Sequence, residues 1–114
     1  MQILKYNYHD AVIEKVELTE TVFSLYIGLY SIFYPAKPKI KLQFSIGTHY
    51  NRCNKWVIEL ISEVDDGEDE LGARINNISI QTENYGSANM LCKIDCEYMN
   101  TLKFKITAVK ETEI

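Results

Sequence analysis

From Ala11 to Val109 apolar and polar side chains alternate with a period of two, and no stretch of ten residues reads as a good amphipathic helix. Successive side chains of an extended strand point to opposite faces, so the pattern predicts half-buried β-strands. The first, Val12–Leu18, sets Val12, Val16 and Leu18 on one face and Ile13, Lys15 and Glu17 on the other. A tight Thr19-Glu20 connection leads to residues 22–29, with Phe23, Leu25, Ile27 and Leu29 facing in. Gly28 interrupts this second strand and marks a bulge or a close backbone approach.

Residues 30–38 hold two prolines and no clear period, which reads as an unusually apolar loop or crossover. Ile40, Leu42, Phe44 and Ile46 form the cleanest alternation in the chain. Residues 47–54 read as a polar turn. Residues 55–62 read as a strand with Trp56, Ile58 and Leu60 on one face and Val57, Glu59 and Ile61 on the other. Both faces are largely apolar, as in a central strand or one covered twice. Further strands are expected at 73–81, with a bulge at Asn76-Asn77, at 90–99 with Met90, Cys92, Ile94, Cys96 and Tyr98 inward, and at 102–108 with Leu102, Phe104, Ile106 and Ala108 inward. The tail from Lys110 to Ile114 is expected to fray. Seven strands joined by short turns predict an all-β, single-domain antiparallel β-sandwich or rolled sheet over residues 1–114.

Composition changes this picture little. A chain of 114 residues buries roughly 65% of its unfolded surface, enough for one core. A net charge of −4 argues against a nucleic-acid footprint, which needs clustered Lys and Arg. Lys37, Lys39, Lys41, Lys103 and Lys105 fall on alternate positions and read as solvated strand faces that also blunt edge pairing. No run approaches the ~20 apolar residues of a membrane helix, and Met1 to Tyr6 does not read as a secretory signal. Three cysteines, an odd set, fit reduced thiols, so a cytoplasmic location is expected, with no membrane partner.

Candidate chemistry is sparse. His49, Cys53, Cys92 and Cys96 invite a zinc reading, but four strand residues separate Cys92 from Cys96 by about 13 Å. Neither one metal nor a disulfide spans that distance, and both thiols read as core side chains. A nucleophile built on Cys53 and His49 needs an orienting group and an oxyanion site that nothing in the sequence supplies. No catalytic residue, metal or cofactor is therefore assigned, and the chain is expected not to be an enzyme. The run Asp65, Asp66, Gly67, Glu68, Asp69, Glu70 lacks the calcium-loop pattern, because Asn76 stands where the bidentate Glu belongs. It reads as a solvated turn or, functionally, as a steering patch for a basic partner. Tyr30, Ile32, Phe33 and Tyr34 either cap the open end of the sheet or stay exposed as an anchor.

Tyr8-His9-Asp10-Ala11, followed at once by an alternating strand and a hairpin, resembles the opening of several small bacterial β-rich families. Some of these are immunity proteins of polymorphic-toxin systems. The resemblance covers about the first twenty-nine residues and implies a binding protein that blocks a toxin domain, with His9 and Asp10 as fold markers. An Asp at a strand entrance fixes the turn by bonding its own backbone. The expected function is thus a non-catalytic interaction domain facing a protein partner, which the resemblance implies is a basic toxin domain neutralised by occlusion. Its contact residues would be Asp65, Asp66, Glu68, Asp69 and Glu70, with Tyr30, Phe33 and Tyr34. Two rivals are a carrier with Phe23, Phe44, Trp56 and Phe104 around an apolar cavity, and an accessory subunit docking through a free sheet edge.

Overall fold

The computed structural model describes residues 4–36, 38–47, 50–62, 73–82, 90–97 and 99–114. They form β1 (Val12–Leu18), β2 (Val22–Gly28), β3 (Lys39–Ser45), α1 (Tyr50–Ser62), β4 (Ala73–Thr82), β5 (Met90–Cys96), β6 (Leu102–Ile106) and β7 (Ala108–Glu113). Seven strands make one sheet in the order β6-β5-β4-β1-β2-β3-β7, and every pairing is antiparallel. Its two end strands are consecutive in the chain, with Thr107 alone between them. That connection rolls the sheet upon itself. Phe104 of β6 then meets Phe44 of β3 at 5.3 Å and Phe23 of β2 at 5.8 Å between ring centroids. Of the two architectures the sequence allows, this open, rolled sheet is the one adopted.

The β1–β2 hairpin shows why strict alternation misplaces Ile13. Ile13 pairs with Ile27 and Lys15 with Tyr26, so Glu14 is an extra, bulged residue. The bulge lets Ile13 share the inner face with Val16 and Leu18, and Ile13 is fully buried. Glu14's displaced carboxylate lies 3.4 Å from where a Cβ on Gly28 would stand, and it pairs with Lys39 at 3.1 Å. Gly28 thus marks a close approach. The bulge expected at Asn76 is present, as Ile75 pairs with Cys96 and Asn77 with Asp95.

Residues 50–62 are helix, not a turn followed by a strand. Cys53, Trp56, Val57 and Leu60 are all buried, the i, i+3, i+4, i+7 spacing of one helical face. Ile58 and Ile61 are 60% and 54% exposed, although a strand would have put Ile58 beside Trp56. Period two and period 3.6 both fit Trp56 and Leu60; burial of Cys53 and Val57 decides between them. β-branched Val57, Ile58 and Ile61 favour strand locally, and packing of the helix against the sheet overrides that preference.

The C-terminal tail does not fray. Residues from Ala108 to Glu113 form β7 and pair along the whole of β3, from Ser45↔Ala108 to Ile40↔Glu113. The Thr107 N–H donates to the Ser45 carbonyl at 2.9 Å and starts this ladder. Ala108 is exposed, because the break at Thr107 ends the alternation of β6. β5 closes at Cys96, where Met99 N–H returns to the Cys96 carbonyl at 3.3 Å. Phe23 occupies the centre of the interior, 5.8–6.1 Å from Phe44, Phe104 and the Trp56 ring of α1.

Candidate interaction surface

The segment before β1 is built by local hydrogen bonds and then sewn onto both halves of the sheet. Asn7 Oδ1 accepts from the His9 N–H at 3.0 Å, an Asx turn two residues long. Ala11 N–H reaches the Tyr8 carbonyl at 3.1 Å, and Asp10 takes a left-handed φ of 61°, which Asp tolerates better than most residues. Asp10 therefore sits in the turn, but it fixes the turn through its backbone conformation and not by a side-chain bond to its own backbone. The side chain that caps the turn belongs to Asn7, while the Asp10 carboxylate lies 3.5 Å from His9 Nε2.

Docking onto β4 follows. Asp10 N–H donates to the Ile75 carbonyl and Ile75 N–H to the Ala11 carbonyl, both at 2.8 Å. The His9 ring donates from Nδ1 to the Asn76 carbonyl at 2.9 Å, at the bulge itself. On the opposite side Glu111 of β7 accepts three bonds: Lys5 N–H at 2.6 Å, Tyr6 N–H at 3.2 Å and the Tyr8 hydroxyl at 2.6 Å. Burial, then the bond to Glu111, pushes the Tyr8 phenol far above its ordinary value.

This anchored segment carries the aromatic turn. Phe33 and Tyr34 N–H groups both donate to the Tyr30 carbonyl, at 3.1 and 2.9 Å, and Leu29 N–H bonds the Pro38 carbonyl at 3.2 Å across the base of the loop. Tyr34 Oη accepts from Asn7 N–H at 2.8 Å, and its ring meets Tyr6 at 5.9 Å. Tyr30 and Phe33 rings stand 5.3 Å apart, edge to face, and Phe33 lies 6.5 Å from the His9 ring. Burial and exposure are divided among the residues of this loop. Tyr34 is half-buried against the core, whereas Phe33 is 45% and Ile32 72% exposed. Ile32, which adjoins Phe33 in the sequence, was named with the loop but not among the expected contact residues. His9 was named as a fold marker, and its proximity to Phe33 comes from the turn and from the bulge of β4, not from spacing.

Asp65, Asp66, Glu68, Asp69 and Glu70 lie outside the described residues, as does His49. Cys53 does not sit in a polar loop: it is on the buried face of α1, and Cys92 and Cys96 are buried on β5. Burial pushes the Cys53 and Cys96 thiols up to about 12 and drives Cys92 in the same direction, away from thiolate reactivity. Among the described residues no three His, Cys, Asp or Glu side chains come together in a way that could hold a metal ion. No helix among them is long and apolar enough to cross a membrane.

No protein-family model, curated protein or solved structure matches this chain.

Proposed function

We propose that this chain is a non-catalytic protein-interaction domain that occludes a basic partner, of the kind formed by cytoplasmic immunity proteins that neutralise bacterial toxins. One observation carries the reading: Ile32 and Phe33 are exposed on a turn whose backbone and neighbouring rings are already fixed. Large apolar side chains held rigid before binding lose little entropy on contact, which is what an affinity anchor requires. Asp65, Asp66, Glu68, Asp69 and Glu70 supply the charge that speeds encounter with a positive surface. Tyr30 packs edge to face on Phe33, and Tyr34 ties the turn to Asn7 and Tyr6.

The carrier reading finds less support. Phe23, Phe44, Trp56 and Phe104, which it needs around a cavity, lie within 5.3–6.1 Å of one another along the chain of ring contacts.

The test is co-purification with the product of the neighbouring gene. Binding is expected, with Phe33→Ser weakening it at least tenfold and the fold unchanged by circular dichroism. A neighbour that does not bind, or binding indifferent to both Ile32→Ser and Phe33→Ser, contradicts the proposal.

A further inference from the structure

The groove between the first three turns of α1 and the start of β6 gathers positive charge against the sign of the whole chain. Arg52 and Lys55 line it from α1 and Lys103 from β6, and it is an open groove of about 460 Å³. That volume is in the range of small-ligand sites. The carboxylate on its wall, Glu59, already accepts from the Asn100 backbone N–H at 3.5 Å and from the Asn100 amide at 3.4 Å. Among the described residues that line it, three cations therefore face one engaged carboxylate, in a protein of net charge −4.

Helix stability gives no reason for this placement. The first turn of α1 holds no acidic residue, and Arg52 stands near the helix N-terminus, where the dipole favours an anion and opposes a cation. Arg52 Nη1 donates to the Lys103 carbonyl at 3.1 Å, which ties the guanidinium to the opposite wall. That bond uses one of five N–H groups, and the remaining planar fork matches the oxygens of a phosphoryl group. Asn100 and Thr101 add neutral polar atoms to the lining. The Trp56 indole N–H holds this wall in place through the Asn100 carbonyl at 3.2 Å.

We infer that the groove between α1 and β6 binds a phosphoryl group, as free phosphate or on a small phosphomonoester, through Arg52, Lys55 and Lys103.

Trp56 is the chain's one tryptophan, so its emission and indole N–H resonance report on the groove directly. Inorganic phosphate and glycerol 3-phosphate are titrated separately, with ionic strength held constant by KCl. A saturable change is expected with at least one probe, weakened tenfold or more in Lys55→Glu and in Lys103→Glu. Tighter binding of free phosphate identifies the ion as the ligand; tighter binding of glycerol 3-phosphate identifies the ester. Both lysines are exposed, and Lys55→Gln with Lys103→Gln serves as a milder pair if charge reversal disturbs the fold. A drift with both probes no larger than that in KCl, or saturable binding that survives both substitutions, overturns the inference.

Discussion

The Tyr8 hydroxyl donates a 2.6 Å hydrogen bond to the Glu111 carboxylate, joining positions 103 residues apart. Because Glu111 also accepts the Lys5 and Tyr6 N–H groups, one side chain on the last strand fastens the segment that leads into the first. The Phe33 turn stands on that segment through Tyr34 and Asn7. Glu111 is thus connected to the proposed anchor without touching it.

Glu111→Ala should cost roughly 1–3 kcal/mol, since it strands the part-buried Tyr8 hydroxyl and Tyr6 N–H, while the exposed Lys5 N–H turns to water. Tyr8→Phe removes one bond and should cost about 1 kcal/mol. Urea unfolding of the two single variants and the double variant checks this, and the double should cost less than the sum because the residues share a bond.

Alkaline pH should destabilise the fold. The thiols ionise at their ordinary value of 9.0 when the chain is unfolded, whereas burial holds Cys53 and Cys96 protonated to about 12. The unfolded state therefore binds fewer protons above pH 9, and stability must fall as pH rises through that window. Cys92 and the Tyr8 phenol, both raised, act in the same sense. Urea midpoints should be flat with respect to these groups below pH 8 and decline steadily from pH 9 upward. A midpoint constant between pH 8 and pH 10.5 would contradict the burial of these thiols.

The helix predicts a contrast between adjacent residues. Val57→Lys, on the buried face of α1, should destabilise by more than about 3 kcal/mol, because an unpaired charge enters the core. Ile58→Lys should stay within about 0.5 kcal/mol, as for most surface substitutions. In a strand that shared Trp56's face, the order would reverse. Thermal melts of both variants decide it.

Much of the fold was legible because burial on one side of a sheet writes itself into the sequence as alternation. Phe23, Leu25 and Ile27 on β2, and Ile40, Leu42 and Phe44 on β3, are such cases: all face in and all are fully buried. Legibility failed where a physical event breaks the period. The bulge at Glu14 shifts the phase between Ile13 and Val16. Residues 55–62 satisfy two periods at once, and only Cys53, just outside that window, completes the helical face. β7 reads as a polar tail because it is an end strand with water on one side, and its reason for being ordered, the ladder to β3, lies about seventy residues away. The aromatic turn was visible as composition. Its division into a capping Tyr34 and an exposed Phe33 depends on Asn7 and Tyr6, contacts no local pattern announces.

Truncation after Ile106 should prevent folding, not trim a loose end. It removes the partner of β3 and the Glu111 clamp together. The shortened chain should lack the sigmoidal urea transition of the full protein, while a cut after Glu113 should leave the midpoint nearly unchanged.

Whether the pre-ordered apolar turn is the contact surface is decided by amide chemical-shift mapping of the ¹⁵N-labelled chain with its co-purifying partner. The largest changes are expected at His9, Ile32 and Phe33, with Phe33→Ser abolishing them at the same partner concentration. Changes confined to other surfaces, with the Tyr30–Tyr34 amides unmoved at saturation, would contradict it.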